Sequence, residues 1–199
     1  MSEHDQVNAA QAMSDGPAAL VLSGGGARAA YQIGVLRAIS EMLPNRHCTP
    51  FPIICGTSAG ALNAAALATS ADSFGVGVDK LHDVWANFSS SQVYRTDWQG
   101  VLGSAFRWLS NLALGLFNKT VPVSLLNNAP LGELLREIID LKQLPRMIDS
   151  GYLHALCITA CSYSRGDWVN FYQGAPQLTD WHRARRRGRR SLLSQEHLM

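Results

Sequence analysis

Twice near its start this chain passes from a short apolar run, through glycines, into a helix. "AALVLS", residues 18–23, reads as a buried strand, and "GGGARAA" follows it. From Ala29 onward Ile33, Leu36, Ile39 and Leu43 recur at helical spacing, until Pro44 and Asn45 stop the pattern. "FPIIC", residues 51–55, reads as a second buried strand, followed by "GTSAG" and the alanine-rich run Ala61–Ala68. A strand that hands over to a helix, twice in succession, leaves few architectures open. The strands must lie side by side in a parallel sheet, with helices covering it. The chain is therefore expected to be α/β.

Glycines between a strand and a helix commonly hold an anion, and the spacing decides which one. A dinucleotide fingerprint starting at Gly24 requires glycine at position 29, where this chain has Ala29. It also requires a carboxylate at the end of the next strand, which instead ends in Cys55-Gly56-Thr57. A P-loop fails because no Gly-Lys-Ser/Thr follows. "GTSAG", Gly56 to Gly60, fits G-x-S-x-G in the strand-to-helix setting of a nucleophile elbow. In that setting Ser58 stands at a helix N-terminus, where partial positive charge favours a developing anion. The plainer alternative is an N-capping serine in an ordinary strand-to-helix turn. Beside a nucleophilic serine, the N–H groups of Gly24, Gly25 and Gly26 have a second use, as donors to the oxyanion of an acyl-transfer intermediate.

The rest of the chain is ordinary globular material, 47% hydrophobic and 16% charged. Its formal charge of +2 is misleading, because six arginines lie in "RARRRGRR", Arg183 to Arg190. Without them 11 basic residues face 15 acidic ones, a balance of −4. The basic character is local and does not suit a general nucleic-acid binder. The run reads as a solvated turn or helix end, or as a surface for anionic lipid head groups. Residues 79–88 and the stretch "PLGELLREIIDLKQL", 130–144, read as helices, and "LHALCITACSYS" and "WVNFYQG" as strands paired about Arg165-Gly166-Asp167. Residues 101–117 are apolar but interrupted by Arg107 and Asn111, which suits a half-buried helix, or an amphipathic lid, better than a membrane span. Residues 1–16 read as a polar tail without the marks of a signal peptide, and residues 17–199 as one domain. Cys55, Cys157 and Cys161 lie in apolar runs and are expected to be buried thiols, which fits a cytoplasmic setting. The closing "RRSLLSQEHLM" begins an apolar pattern with nothing after it, as if the domain continued beyond these residues.

"LSGGGARAAYQIGVL" and "ICGTSAGALNAAAL" together resemble the two opening motifs of the patatin-like phospholipase family, in order, separation and setting. The resemblance covers most of the chain from about residue 17. It implies a three-layer α/β/α fold with a mainly parallel central sheet, and lipid acyl hydrolysis by a Ser–Asp dyad with no metal or organic cofactor. It assigns Ser58 as nucleophile, Gly24, Gly25 and Gly26 as the oxyanion hole, and Gly56 and Gly60 as the elbow. Arg28 matches a basic residue of the family's loop that steadies it or meets a head group, while Ala29 departs from the usual glycine. The family's aspartate stands in Asp-Gly-Gly or Asp-Gly-Ala. This chain has one Asp-Gly, Asp15-Gly16, ahead of the first strand, so the role finds no match here and the fold is expected to be incomplete at its C-terminal end. A Ser58–Asp167–His182 set satisfies the chain order of a hydrolase triad, but so do many chance combinations. His154 reads as a core or sheet-face residue, and Asp140, Asp149 and Asp180 as surface groups or caps. The implied partners are a phospholipid or other lipid ester and, peripherally, a membrane, but not nucleic acid. An inactive lipid-binding or regulatory remnant of the same fold is the alternative.

Overall fold

A computed structural model of the chain describes residues 18–87, 135–136, 138–162 and 164–198. The chain divides into two compact units, Met1–Ala86 with Ile139–Met199, and Asn87–Ile138. The sheet, its helices and every candidate site residue belong to the first. The polar tail and the apolar segment 101–117 lie outside the described residues.

The fold is mixed α/β around a mostly parallel six-stranded sheet. The strands are β1 (Ala19–Leu22), β2 (Ile53–Thr57), β3 (Ala155–Cys161), β4 (Trp168–Gly174), β5 (Trp181–Arg183) and β6 (Arg186–Arg190), in the order β1-β2-β3-β4-β6-β5. β1, β2 and β3 run parallel, with Leu22 opposite Gly56 and Gly56 opposite Ile158. β4 turns back antiparallel to β3 through Gly166, whose φ of +64° suits a residue without a side chain. β6 then lies parallel to β4, and β5 pairs antiparallel with β6.

Among the described residues, the helices of the first unit are α1 (Ala29–Met42), α2 (Ala59–Ala68), α3 (Phe74–Ala86) and the short α4 (Leu144–Asp149). α2 lies against β1, β2 and β3 and also meets α1 and α3. It is buried nearly all round, at Gly60, Ala61, Asn63, Ala64, Ala65, Ala66, Leu67 and Ala68. A helix enclosed on every side needs small side chains to let its neighbours approach, and "AGALNAAALA" supplies them. The surrounding core is Ile33 and Leu36 from α1, Ile54 and Leu156 from the sheet, and Phe74, Val78 and Leu81 from α3.

Several expectations need correcting. The helix expected over 130–144 does not run through: Leu135, Arg136 and Ile138 are helical, but Asp140 leaves the helical region at φ −93°, ψ 84°. Its carboxylate accepts from Lys142 N–H and opens a 3-10 turn, Leu141–Gln143, before α4. A capping aspartate thus overrides a good amphipathic pattern. β2 starts later than expected because Pro52 has no N–H to give; its carbonyl instead accepts from His154 and Ala155. α3 starts earlier, at Phe74, because His47 and Arg46 carbonyls accept from the Phe74 and Gly75 N–H groups. The cysteines are not uniformly buried: Cys55 and Cys157 are half-buried, and Cys161, at the end of β3, is exposed. The arginine run is neither a turn alone nor a helix end; it forms the β5–β6 hairpin.

Candidate active site

Ser58 joins β2 to α2 with φ 54° and ψ −131°, and among the described residues only Ser58 and Arg185 are non-glycine residues at positive φ. Holding a side chain there costs about 1–3 kcal/mol, which the surrounding structure must sustain. The Ser58 carbonyl accepts from Ala61 N–H at 2.8 Å, so the helix begins at this residue. Its hydroxyl makes no capping bond, which removes the plain N-cap role. The side chain is exposed at the positive end of α2.

The flanking glycines are dictated by close approach. A Cβ on Gly56 would stand 2.5 Å from Ala61 Cα and from the Gly60 carbonyl oxygen. A Cβ on Gly60 would overlap the Leu22 and Ser23 carbonyls of the β1 end. α2 therefore rests directly on the backbone of both strands, and this fixes where Ser58 stands.

The loop after β1 completes the geometry. β1 and β2 are neighbouring parallel strands, so their C-terminal ends share one sheet edge, the usual place for ligands in open α/β sheets. A Cβ on Gly24 would lie 3.0 Å from Ser58 Cβ and 3.7 Å from Ser58 Oγ, so this backbone runs alongside the hydroxyl. Gly26 takes φ +56° and opens a 3-10 turn, Gly26–Arg28, that leads into α1. The N–H groups of Gly24 and Gly25 donate to no acceptor among the described residues. Arg28 projects into solvent from this turn. Ala29 points into the core, where its methyl is 1% exposed, so the departure from glycine leaves the loop's N–H groups in place.

A buried polar network underlies the loop. Asn63, 1% exposed, donates to the Ala29 carbonyl at 3.3 Å and to Gln32 Oε1 at 3.1 Å. Gln32 Nε2 donates to the Ser23 carbonyl at 2.8 Å, and Trp85 Nε1 donates to Asn63 Oδ1 at 2.9 Å. Both ends of the glycine loop are thus tied to α2 and α3. Sequence reasoning passed over Asn63 and Gln32; the signal was a lone amide in an otherwise apolar helix.

Beneath the serine, Cys55 and Cys157 are register partners on β2 and β3. The neighbouring Cys157 thiol lowers Cys55 to about 7 by hydrogen bonding, against the opposing effect of burial, although that thiol also lies 3.8 Å from Asn170 Oδ1 as a second acceptor. The same bond, with burial, pushes Cys157 up. Several other titratable groups have partners of their own. Asp167 pairs with Arg187 at 3.6 Å and Arg165 at 4.0 Å. His182 lies on β5, four strands from β2 or about 19 Å across the sheet, so Ser58, Asp167 and His182 are not brought together. His197 meets Ser194 at 3.0 Å, and His154 is half-buried just before β3. Asp140 caps as expected, while Asp180 accepts from Tyr172 and from the Arg190 N–H. No group of three His, Cys, Asp or Glu among the described residues is placed to hold a metal ion. No described helix is long and apolar enough to cross a membrane.

The arrangement is that of a strained, exposed hydroxyl at a helix N-terminus, beside backbone donors held on a separate tether. Compared with protein families, the chain matches the model described as patatin-like phospholipase over residues 20–196. No curated protein and no solved structure gives a significant match.

Proposed function

This chain belongs to the patatin-like phospholipase family, and we infer that it is a lipid acyl hydrolase in which Ser58 is the nucleophile. Family membership implies lipid acyl hydrolysis; the assignment of roles is our own. Ser58 Oγ attacks the ester carbonyl, and the N–H groups of Gly24, Gly25 and Gly26 receive the oxyanion that forms. Collapse expels the alcohol and leaves an acyl-Ser58 ester, which water cleaves to free fatty acid and serine. Gly56 and Gly60 let the elbow close, and Arg28 meets the head group or steadies the loop. The reading includes the family's three-layer arrangement and a cytoplasmic protein that meets its lipid at the membrane periphery. The juxtaposition of Gly24 with the strained Ser58 carries the argument, at 3.7 Å from the Gly24 Cβ position to Oγ. One well-placed oxyanion donor supplies about 3 kcal/mol of barrier reduction.

The base is the weak point of the constellation. Among the described residues no side chain hydrogen-bonds Ser58 Oγ, and no Asp-Gly-Gly or Asp-Gly-Ala occurs in the sequence. A positioned base contributes about 10²–10⁴-fold. With no base supplied by the described residues, this reading expects slow turnover, the proton passing to water. The same observation favours a second reading, a lipid-binding protein that turns over nothing. Hydrolysis of a short-chain p-nitrophenyl ester separates the two. Slow release that Ser58→Ala abolishes supports the hydrolase. Release equal in both proteins, with lipid binding retained, supports the second reading. Acyl transfer to an alcohol or thiol would use the same residues, and shows as an acylated acceptor in place of free acid.

A further inference from the structure

The reversal of the sheet at β4 decides where the arginine hairpin sits. β4 and β6 run opposite to β1, β2 and β3, because β4 is antiparallel to β3 and β6 is parallel to β4. The N-terminal ends of β4 and β6, and the turn joining β5 to β6, therefore lie at the edge where β1 and β2 end. That is the edge of Ser58 and the glycine loop. Arg28, Arg165, Arg183, Arg185 and Arg186 all fall on it. Asp167, the one carboxylate in the described turns and strand ends there, lies within ion-pair range of Arg187 at 3.6 Å and Arg165 at 4.0 Å, with its Oδ1 and the Arg187 Nε making no hydrogen bond among the described residues.

The hairpin divides its arginines between two tasks. Arg190 donates to the carbonyls of Gly174, Ala175, Pro176 and Leu178, and Arg187 is half-buried against Asp167. Arg190 ties the hairpin to residues 174–178, and Arg187 faces Asp167 at ion-pair distance. Arg183, Arg185 and Arg186 are exposed and form no ion pair among the described residues. Trp168, Arg186 and Arg183 are successive register partners and so share one face. Trp181 lies on the same face over Gly188, with the Arg183 guanidinium 5.9 Å from its ring centroid. Trp168 and Trp181 remain 45% and 40% exposed. Arg185 occupies the turn at φ 59°, a position where asparagine or glycine is easier.

We propose that this edge docks the protein onto a membrane surface containing anionic phospholipid, with Arg183, Arg185 and Arg186 binding the lipid phosphate and carboxylate groups and Trp168 and Trp181 entering the head-group layer. Indole rings with a polar tip favour that layer, and guanidinium groups favour its charge. β6 and β5 lie three and four strands from β2, about 14 and 19 Å, so docking presents Ser58 to the same surface. That consequence rests on the acyl-hydrolase reading; the docking itself does not. A nucleic acid is a poorer fit, since the free guanidinium groups gather at one tip and form no stripe along which a phosphate backbone could run.

The test is co-sedimentation of the 199-residue chain with vesicles of phosphatidylcholine, alone or mixed with phosphatidylserine. Binding is expected only with phosphatidylserine, falling as salt rises. Changing Arg183, Arg185 and Arg186 together to Gln is expected to weaken it about a hundredfold, or about fivefold per arginine. The same three changed to Lys should restore most of it. The proposal is overturned by equal binding to both vesicles, by salt-insensitive binding, or by a folded Gln variant that binds as tightly as the original. It is also overturned if polyuridylate RNA binds more tightly than the vesicles and strips the protein from them. Should the Gln variant not fold, the salt titration of the unaltered chain decides. Arginine-dependent docking without Ser58-dependent hydrolysis keeps this proposal and removes the hydrolase reading; the opposite pair of results does the reverse.

Discussion

The Ser58 turn and the arginine hairpin stand on one sheet edge, and each holds a non-glycine residue at positive φ, Ser58 at 54° and Arg185 at 59°. They are built in opposite ways. At the elbow the constraint is local and steric: α2 lies on the backbone of β1 and β2, and glycine and alanine are what fit. At the hairpin the constraint is distant and polar. Arg190 reaches four carbonyls of residues 174–178, Arg187 reaches Asp167, and the Trp181 indole lies across Gly188. A steric constraint leaves its mark in the adjacent sequence, whereas a polar one is visible only once the partners are in place.

The contrast can be broken by substitution. Gly60→Ala should have the largest effect, about 3 kcal/mol or more of lost stability, because its methyl would meet main-chain carbonyls that cannot step aside. A thermal midpoint close to that of the unaltered chain would show that α2 does not rest on the strand ends. Arg190→Ala should cost less, about 2 kcal/mol, since the carbonyls it leaves can turn to water. If its denaturant midpoint matches the original, the hairpin is held by its ladder alone.

These two regions also explain what the sequence could tell. Both strand-to-helix passages were legible, because the backbone needs glycine at Gly56, Gly60 and Gly24 and few other residues can serve. The turn at Arg165-Gly166-Asp167 was legible for the same reason. β5 and β6 were not, since arginines on both faces hide the alternation that marks a strand. The break at Asp140 was hidden by an apolar pattern that continues across it, and only the carboxylate bond to Lys142 N–H ends the helix. In the site, the placement of Ser58 at the strand-to-helix turn and of Gly24 beside it was legible from motif and setting, while their chemical roles are the proposal. Asn63 and Gln32 were not, because a buried amide becomes informative only when its partners are known.

Smaller effects sharpen the comparison of the two strained residues. Ser58→Gly should stabilise the fold by about 1 kcal/mol, strain relief outweighing the added freedom of the unfolded chain. Arg185→Gly should gain only about 0.3 kcal/mol, because the left-handed turn conformation costs a side chain less. Equal gains at both sites would mean that the elbow carries no special strain. The smallest effect concerns Cys55, three residues before the serine. Its thiolate is favoured by the Cys157 thiol, so alkylation by iodoacetamide should rise through about pH 7. Cys157→Ala removes that donor and should move the rise to higher pH. An unmoved profile would remove the hydrogen bond as its cause.

The central claim is that Ser58 is a nucleophile beside an oxyanion hole. It is tested most directly by treating the folded chain with a fluorophosphonate and locating the adduct by peptide mass spectrometry. The account predicts a slowly formed phosphonyl adduct on Ser58, absent from the denatured chain and from Ser58→Ala. No adduct on Ser58, or labelling spread equally over other serines, would contradict it.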